Sequence, residues 1–94
     1  MPDPLFELTS FQRDLLYVIS GDEKPSGQEI KAELQTSMDE ITHGRLYPNL
    51  DTLVEKGYVE KGESDRRTNY YDVTEKGLAG IRDRREWENR YVEL

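Results

Sequence analysis

The feature that most constrains this chain is a change of period along it. From Leu8 to Val54 the apolar residues recur three and four positions apart, the spacing that gathers one face of an α-helix. After Gly57 that spacing stops and short runs bearing tyrosine and valine take over. Leu8, Phe11, Leu15 and Val18/Ile19 set a first helix over residues 10–20. Thr9 with Gln12 three later is a capping-box pair that opens it, and Gly21 is a natural stop. Residues 22–25 form a turn, and Ser26 with Glu29 is a second capping box, opening a helix to about residue 36 with Ile30 and Leu34 inward. A polar link over residues 37–41 follows, with Met38 and Ile41 reaching the core.

Thr42 caps a third helix over residues 43–56, ended by Gly57, with Leu46, Leu50, Leu53 and Val54 on one face. Pro48 falls inside it, where the missing N–H and the ring cost about 3 kcal/mol, so a bend or an irregular first turn is expected. Residues 58–61 and 70–73 read as strands around a polar, turn-rich stretch, 62–69, which makes a hairpin with a long tip. Thr74 caps a last helix from Glu75 to near the C-terminus. The expected fold is mainly α with a small β-hairpin, in the order α-α-α-β-β-α. That is the winged helix-turn-helix arrangement. Residues 1–74 make the winged-helix unit and 75–94 a dimerisation helix, within one compact domain.

Composition narrows the functions. The 94 residues contain no cysteine and one histidine, His43, which excludes a disulfide framework, a thiolate nucleophile and a metal site built on Cys or several His. There is no glycine-rich phosphate loop and no nucleophile–base set, so an enzyme is not expected, nor a cofactor. No run approaches the roughly 20 apolar residues of a membrane span, and the N-terminus lacks a signal pattern, so an intracellular, cytoplasmic protein is expected.

The second and third helices form the candidate helix-turn-helix, whose second helix offers its first residues to the major groove of double-stranded DNA. Those residues are Thr42, His43, Gly44, Arg45, Tyr47, Pro48 and Asn49. With Leu46 and Leu50 inward, Arg45 and Asn49 point outward, Arg45 suited to guanine and Asn49 to adenine. At the hairpin tip Arg66, Arg67, Thr68 and Asn69 would meet phosphate or the minor groove. Ser26, Gly27 and Gln28, opening the second helix, would cradle a phosphate.

The formal charge of −7 opposes such a partner on its face, because phosphate repels net negative charge. Its distribution answers the objection: residues 1–41 carry −6, residues 42–70 are neutral and residues 71–94 carry −1. Eight arginines stand against five lysines. A large acid surplus with few lysines is what a high-salt cytoplasm would show, where repulsion is screened over a few ångströms. In the last helix Leu78, Ile81 and Val92 share one face, the expected buried one, while Trp87, Tyr91 and Leu94 fall nearly opposite, with Gly80 beneath them. That second stripe implies a second surface, most simply the same helix of another subunit with Leu5, Phe6 and Leu8 assisting, the alternative being that Trp87 and Tyr91 fold back onto the first helix of their own chain.

Three stretches also carry a family likeness: Gly44-Arg45-Leu46-Tyr47-Pro48-Asn49-Leu50, then Leu53-Val54-Glu55-Lys56-Gly57-Tyr58-Val59, then Arg66-Arg67-Thr68-Asn69-Tyr70-Tyr71-Asp72-Val73-Thr74-Glu75-Lys76-Gly77. Together they resemble the PadR-like transcriptional regulators. The resemblance implies a dimeric winged-helix repressor on a palindromic promoter, with DNA contacts on the helix carrying Tyr47 and on the wing. It also makes Pro48 a family feature. Two departures are Arg45, where many members have a small residue, and the 20 residues after Thr74, fewer than in many members. The second implies dimerisation through one helix and gives no ground for a phenol-binding pocket. The competing function is a winged-helix module that binds protein and does not read DNA, favoured by the acidic first half.

Overall fold

The computed structural model describes residues 5–64 and 68–93. Four helices and one hairpin follow the expected order: α1 (Ser10–Ser20), α2 (Gly27–Leu34), α3 (His43–Glu55), β1 (Val59–Glu63), β2 (Asn69–Val73) and α4 (Glu75–Asn89). Each helix starts on a hydroxyl. Thr9 and Ser26 complete reciprocal capping boxes with Gln12 and Glu29, and Thr42 and Thr74 accept from the backbones of Arg45 and Gly77. Each cap satisfies amides that a helix start otherwise leaves without partners. α3 runs unbroken through Pro48. Pro48 and Gly44 are both exposed, so the carbonyl that proline leaves without its helical donor sits on the water side. Gly57 ends the element in the left-handed region, at φ 84°, where a side chain would be strained.

The helical stripes meet in one core. Leu15, Leu16 and Ile19 of α1, Ile30 of α2, and Leu46, Leu50 and Leu53 of α3 are fully buried, joined by Ile41 from the link and Tyr71 from β2. Met38 packs against its edge. The strands pair antiparallel from Val59↔Val73 to Glu63↔Asn69, so the hairpin is longer than the expected 58–61 and 70–73. The extension depends on Gly62, which read as turn: it lies opposite Tyr70, whose ring covers the space a side chain would need. β2 also takes a second partner. Tyr71 N–H donates to the Pro25 carbonyl at 2.9 Å, and Ser26 bridges Tyr70, which ties the start of α2 to the base of the wing.

The face of α4 differs from expectation. Of the expected face, Ile81 is half-buried against the core, but the fully buried residues of α4 are Gly77 and Gly80, while Leu78 is 40% exposed and Val92, just beyond the helix, 56%. Leu5 fills the notch over Gly80 and is itself fully buried, so it belongs to the subunit's own core and has no surface to give a partner. Its backbone is left-handed at φ 69°, and the guanidinium of Arg13 holds the turn by donating to the carbonyls of Leu5 and Leu8.

Candidate nucleic-acid interface

The buried stripe of α3 leaves two flanks, each marked by residues four apart and therefore on one face. On the first, His43 and Tyr47 meet edge to face with ring centroids 5.5 Å apart. On the second, Asn49 Nδ2 donates to the carbonyl of Arg45 at 2.7 Å, and Asn49 Oδ1 accepts from Gln12 Nε2 at 2.9 Å. The Arg45 guanidinium lies 4.0 Å from the centre of the Phe11 ring.

The first flank faces α2 and the wing. Ser26, Gly27 and Gln28, Tyr47, and Thr68, Asn69 and Tyr71 line one cavity of about 310 Å³. Tyr47 rests directly on the first turn of α2, and a Cβ at position 27 would come within 2.7 Å of its ring and hydroxyl, so this approach requires glycine. The Ser26 hydroxyl is occupied as the cap of α2, accepting from Glu29 N–H, while Gln28 is exposed beside it. The Thr68 carbonyl accepts from both the amide and the hydroxyl of Ser64 and closes the wing. Burial, and after it the charge of Asp51 and the neighbouring Tyr47, push the Tyr71 hydroxyl above the ordinary tyrosine range, so it stays protonated as a donor in neutral solution.

Of the residues singled out in the sequence, the fold thus brings Ser26, Gln28, Tyr47, Thr68 and Asn69 to one cavity, with His43 touching Tyr47. Thr42, the cap, and Gly44 are exposed at the start of α3. Arg45 is exposed but turned to the α1 flank. Asn49 departs from expectation: it is half-buried and hydrogen-bonded through both ends of its amide within the domain, so it braces α3 where an outward, adenine-reading side chain was expected. Arg66 and Arg67 lie outside the described residues. Sequence reasoning missed Lys24, whose ammonium stands 5.3 Å from the centre of the Tyr70 ring and adds a positive charge beside β2. Its position just ahead of the Pro25-Ser26 helix start was the available signal.

A second surface lies at the far end of α4. Phe6, 54% exposed, packs edge-on to Trp87 at 4.9 Å, and Trp87 meets Tyr91, 70% exposed, at 5.3 Å. Arg84 lies over the Phe6 and Trp87 rings at 5.1 and 4.8 Å. Its Nε faces Glu88 at 3.3 Å, but its Nη1 is buried without an acceptor among the described residues. Leu94 lies outside the described residues. No described group of His, Asp or Glu side chains is arranged to hold a metal ion, and no described helix is long and apolar enough to cross a membrane.

The family model described as the transcriptional regulator PadR-like family matches residues 15–83, from within α1 to within α4. The chain belongs to the PadR-like family of transcriptional regulators. It is accordingly a regulator and not an enzyme. Among solved structures, H. salinarum RosR, in a form grown from NaBr, is 46% identical with a TM-score of 0.86, over 96% of this chain and 83% of that one. Streptococcus pneumoniae FabT, solved in complex with DNA, is 25% identical with a TM-score of 0.73, over 93% of this chain and 59% of FabT. F93 from STIV, a winged-helix DNA-binding protein, shares the fold at 22% identity and a TM-score of 0.70, over 86% of this chain and 89% of F93. No curated protein is similar enough to count as a match. For a PadR-like chain, the Leu46-Tyr47-Pro48 run has a structural sense: leucine enters the core, tyrosine turns to α2 and the wing, and proline stays in water.

Proposed function

We propose that this PadR-like regulator is a cytoplasmic homodimeric repressor that binds a palindromic promoter site in double-stranded DNA and blocks it by occupancy. α3 would enter the major groove with Thr42, His43, Gly44, Arg45 and Tyr47. The wing, with Arg66, Arg67, Thr68 and Asn69, and the start of α2, with Ser26 and Gln28, would hold the backbone on either side. The observation that carries this reading is the one cavity shared by α2, Tyr47 of α3 and the wing, three elements that a groove-bound winged helix uses together. The likeness to FabT in complex with DNA supports it.

Residues 75–94 act as the dimerisation helix of a unit formed by residues 1–74. The exposed Phe6 and Tyr91 on either side of the half-buried Trp87, and the Arg84 Nη1 without an acceptor among the described residues, support that assignment, since apolar rings and a buried donor both gain from a covering partner. The acid surplus and the likeness to RosR of the halophile H. salinarum support a protein adapted to high salt. Gel-shift titration against the DNA upstream of its own gene in molar KCl, with sedimentation in the same buffer, tests the reading. A dimer that binds this DNA more tightly than random duplex is expected. Equal affinity for both duplexes, or a monomer at the binding concentration, would overturn it and leave the protein-binding module as the better account.

A further inference from the structure

The α1 flank of α3 carries an arrangement that groove insertion alone does not need. Phe11 is buried in α1, yet one face of its ring is covered by the guanidinium of Arg45, from the recognition helix, at 4.0 Å. A guanidinium carries its N–H donors in its own plane, and the ring takes up none of them as a hydrogen-bond acceptor of ordinary strength, so they remain for a base. The next residue, Gln12, is also buried and divides its amide between two tasks. Its Oε1 accepts from Thr9 N–H at 3.0 Å, which caps α1, and its Nε2 donates to Asn49 at 2.9 Å. Asn49 in turn donates to the carbonyl of Arg45 at 2.7 Å. Both the side chain and the backbone of Arg45 are therefore tied to α1 through two adjacent residues.

We propose that Phe11 and Gln12 are positioning residues for base recognition, holding Arg45 in one orientation before DNA arrives. The inference rests on the reading of Arg45 as a base-contacting residue. Arginine loses much rotamer freedom when immobilised, and ordering it beforehand removes that cost from the complex. The gain falls on contacts of fixed geometry, such as a bidentate pair with guanine. A contact to phosphate, which a mobile arginine reaches from many rotamers, gains little. Preordering by α1 thus raises discrimination between sequences more than it raises affinity for DNA as such.

The test is a double-mutant cycle on the full chain, reading the ratio of affinities for a selected duplex and a random one of equal length. Arg45→Ala is expected to lower the ratio by about fivefold or more, the loss of one bidentate base contact. Phe11→Leu is expected to lower it by about two- to fivefold, the size of an exposed cation–π contact, with affinity for random DNA unchanged. The double variant should then match Arg45→Ala alone. Because Phe11 is buried, Gln12→Glu supplies a second arm: glutamate keeps the acceptor that caps α1 but loses the N–H given to Asn49, and the ratio should fall. If Phe11→Leu does not fold, Gln12→Glu decides. Positioning is overturned if the effects of Phe11→Leu and Arg45→Ala multiply, or if Phe11→Leu and Gln12→Glu keep the ratio that Arg45→Ala lowers. If Arg45→Ala itself keeps the ratio, the base-reading role fails, and positioning fails with it.

Discussion

Tyr47 and Gly27 show how much of the proposed interface rests on single residues. Tyr47 leaves the α3 surface to lie on the first turn of α2, and the contact exists because position 27 has no Cβ to meet it at 2.7 Å. Gly27→Ala should therefore displace the Tyr47 ring from the cavity it lines. Alanine favours a helix by up to about 1 kcal/mol over glycine, which offsets part of the clash. The expected outcome, read by fluorescence anisotropy beside thermal unfolding, is a loss of DNA affinity of about tenfold, equivalent to ~1.4 kcal/mol, with a near-native unfolding midpoint. Unchanged affinity would mean that this contact does not shape the interface. At this scale the helix starts were legible because a cap and its partner are three residues apart in the chain. Asn49 was not legible, since its partner Gln12 lies 37 positions away and no local pattern announces the bond.

Elements were read well wherever burial follows apolar spacing, as in α1, α2 and α3. α4 broke that rule. Its most buried positions, Gly77 and Gly80, carry no apolar side chain, so periodicity pointed to Leu78, Ile81 and Val92, of which Ile81 packs on the core and the other two are well exposed. The apolar matter on that face comes from elsewhere: Leu5 drops into the notch over Gly80 from the N-terminal turn. Leu5→Ala should accordingly act on α4 as well as on its own segment. A loss of about 2–5 kcal/mol is expected from denaturant unfolding, the range for emptying a buried leucine site. Trp87, which meets the neighbouring Phe6 edge to face, should emit at longer wavelength as the N-terminal turn loosens. A cost below about 1 kcal/mol, the scale of ordinary surface changes, would contradict this role for Leu5.

At the scale of the whole molecule the question is how a chain of charge −7 approaches DNA. The surplus acid lies in residues 1–41, covering α1, α2 and the link, while residues 42–70, with α3 and the wing, carry no net charge. Repulsion within the first segment opposes folding at low salt and fades as the Debye length falls from about 10 Å at 0.1 M toward 3 Å at 1 M. The thermal midpoint should therefore rise between about 0.1 and 2 M KCl, and a midpoint that is flat or falling over that range would remove the high-salt reading. The apolar minority needs no large core to fold, because α1, α2, α3 and β2 converge on the same buried cluster, but it leaves Phe6, Tyr91 and Val92 in water. A second copy on that surface would set two α3 helices at a fixed spacing, and that spacing would be written in the DNA. Selection of duplexes from a random pool by the purified chain in molar KCl tests this most directly. The account predicts an inverted repeat with half-site centres about 10 base pairs, or ~34 Å, apart. Recovery of no motif, or of a single asymmetric site, would contradict it.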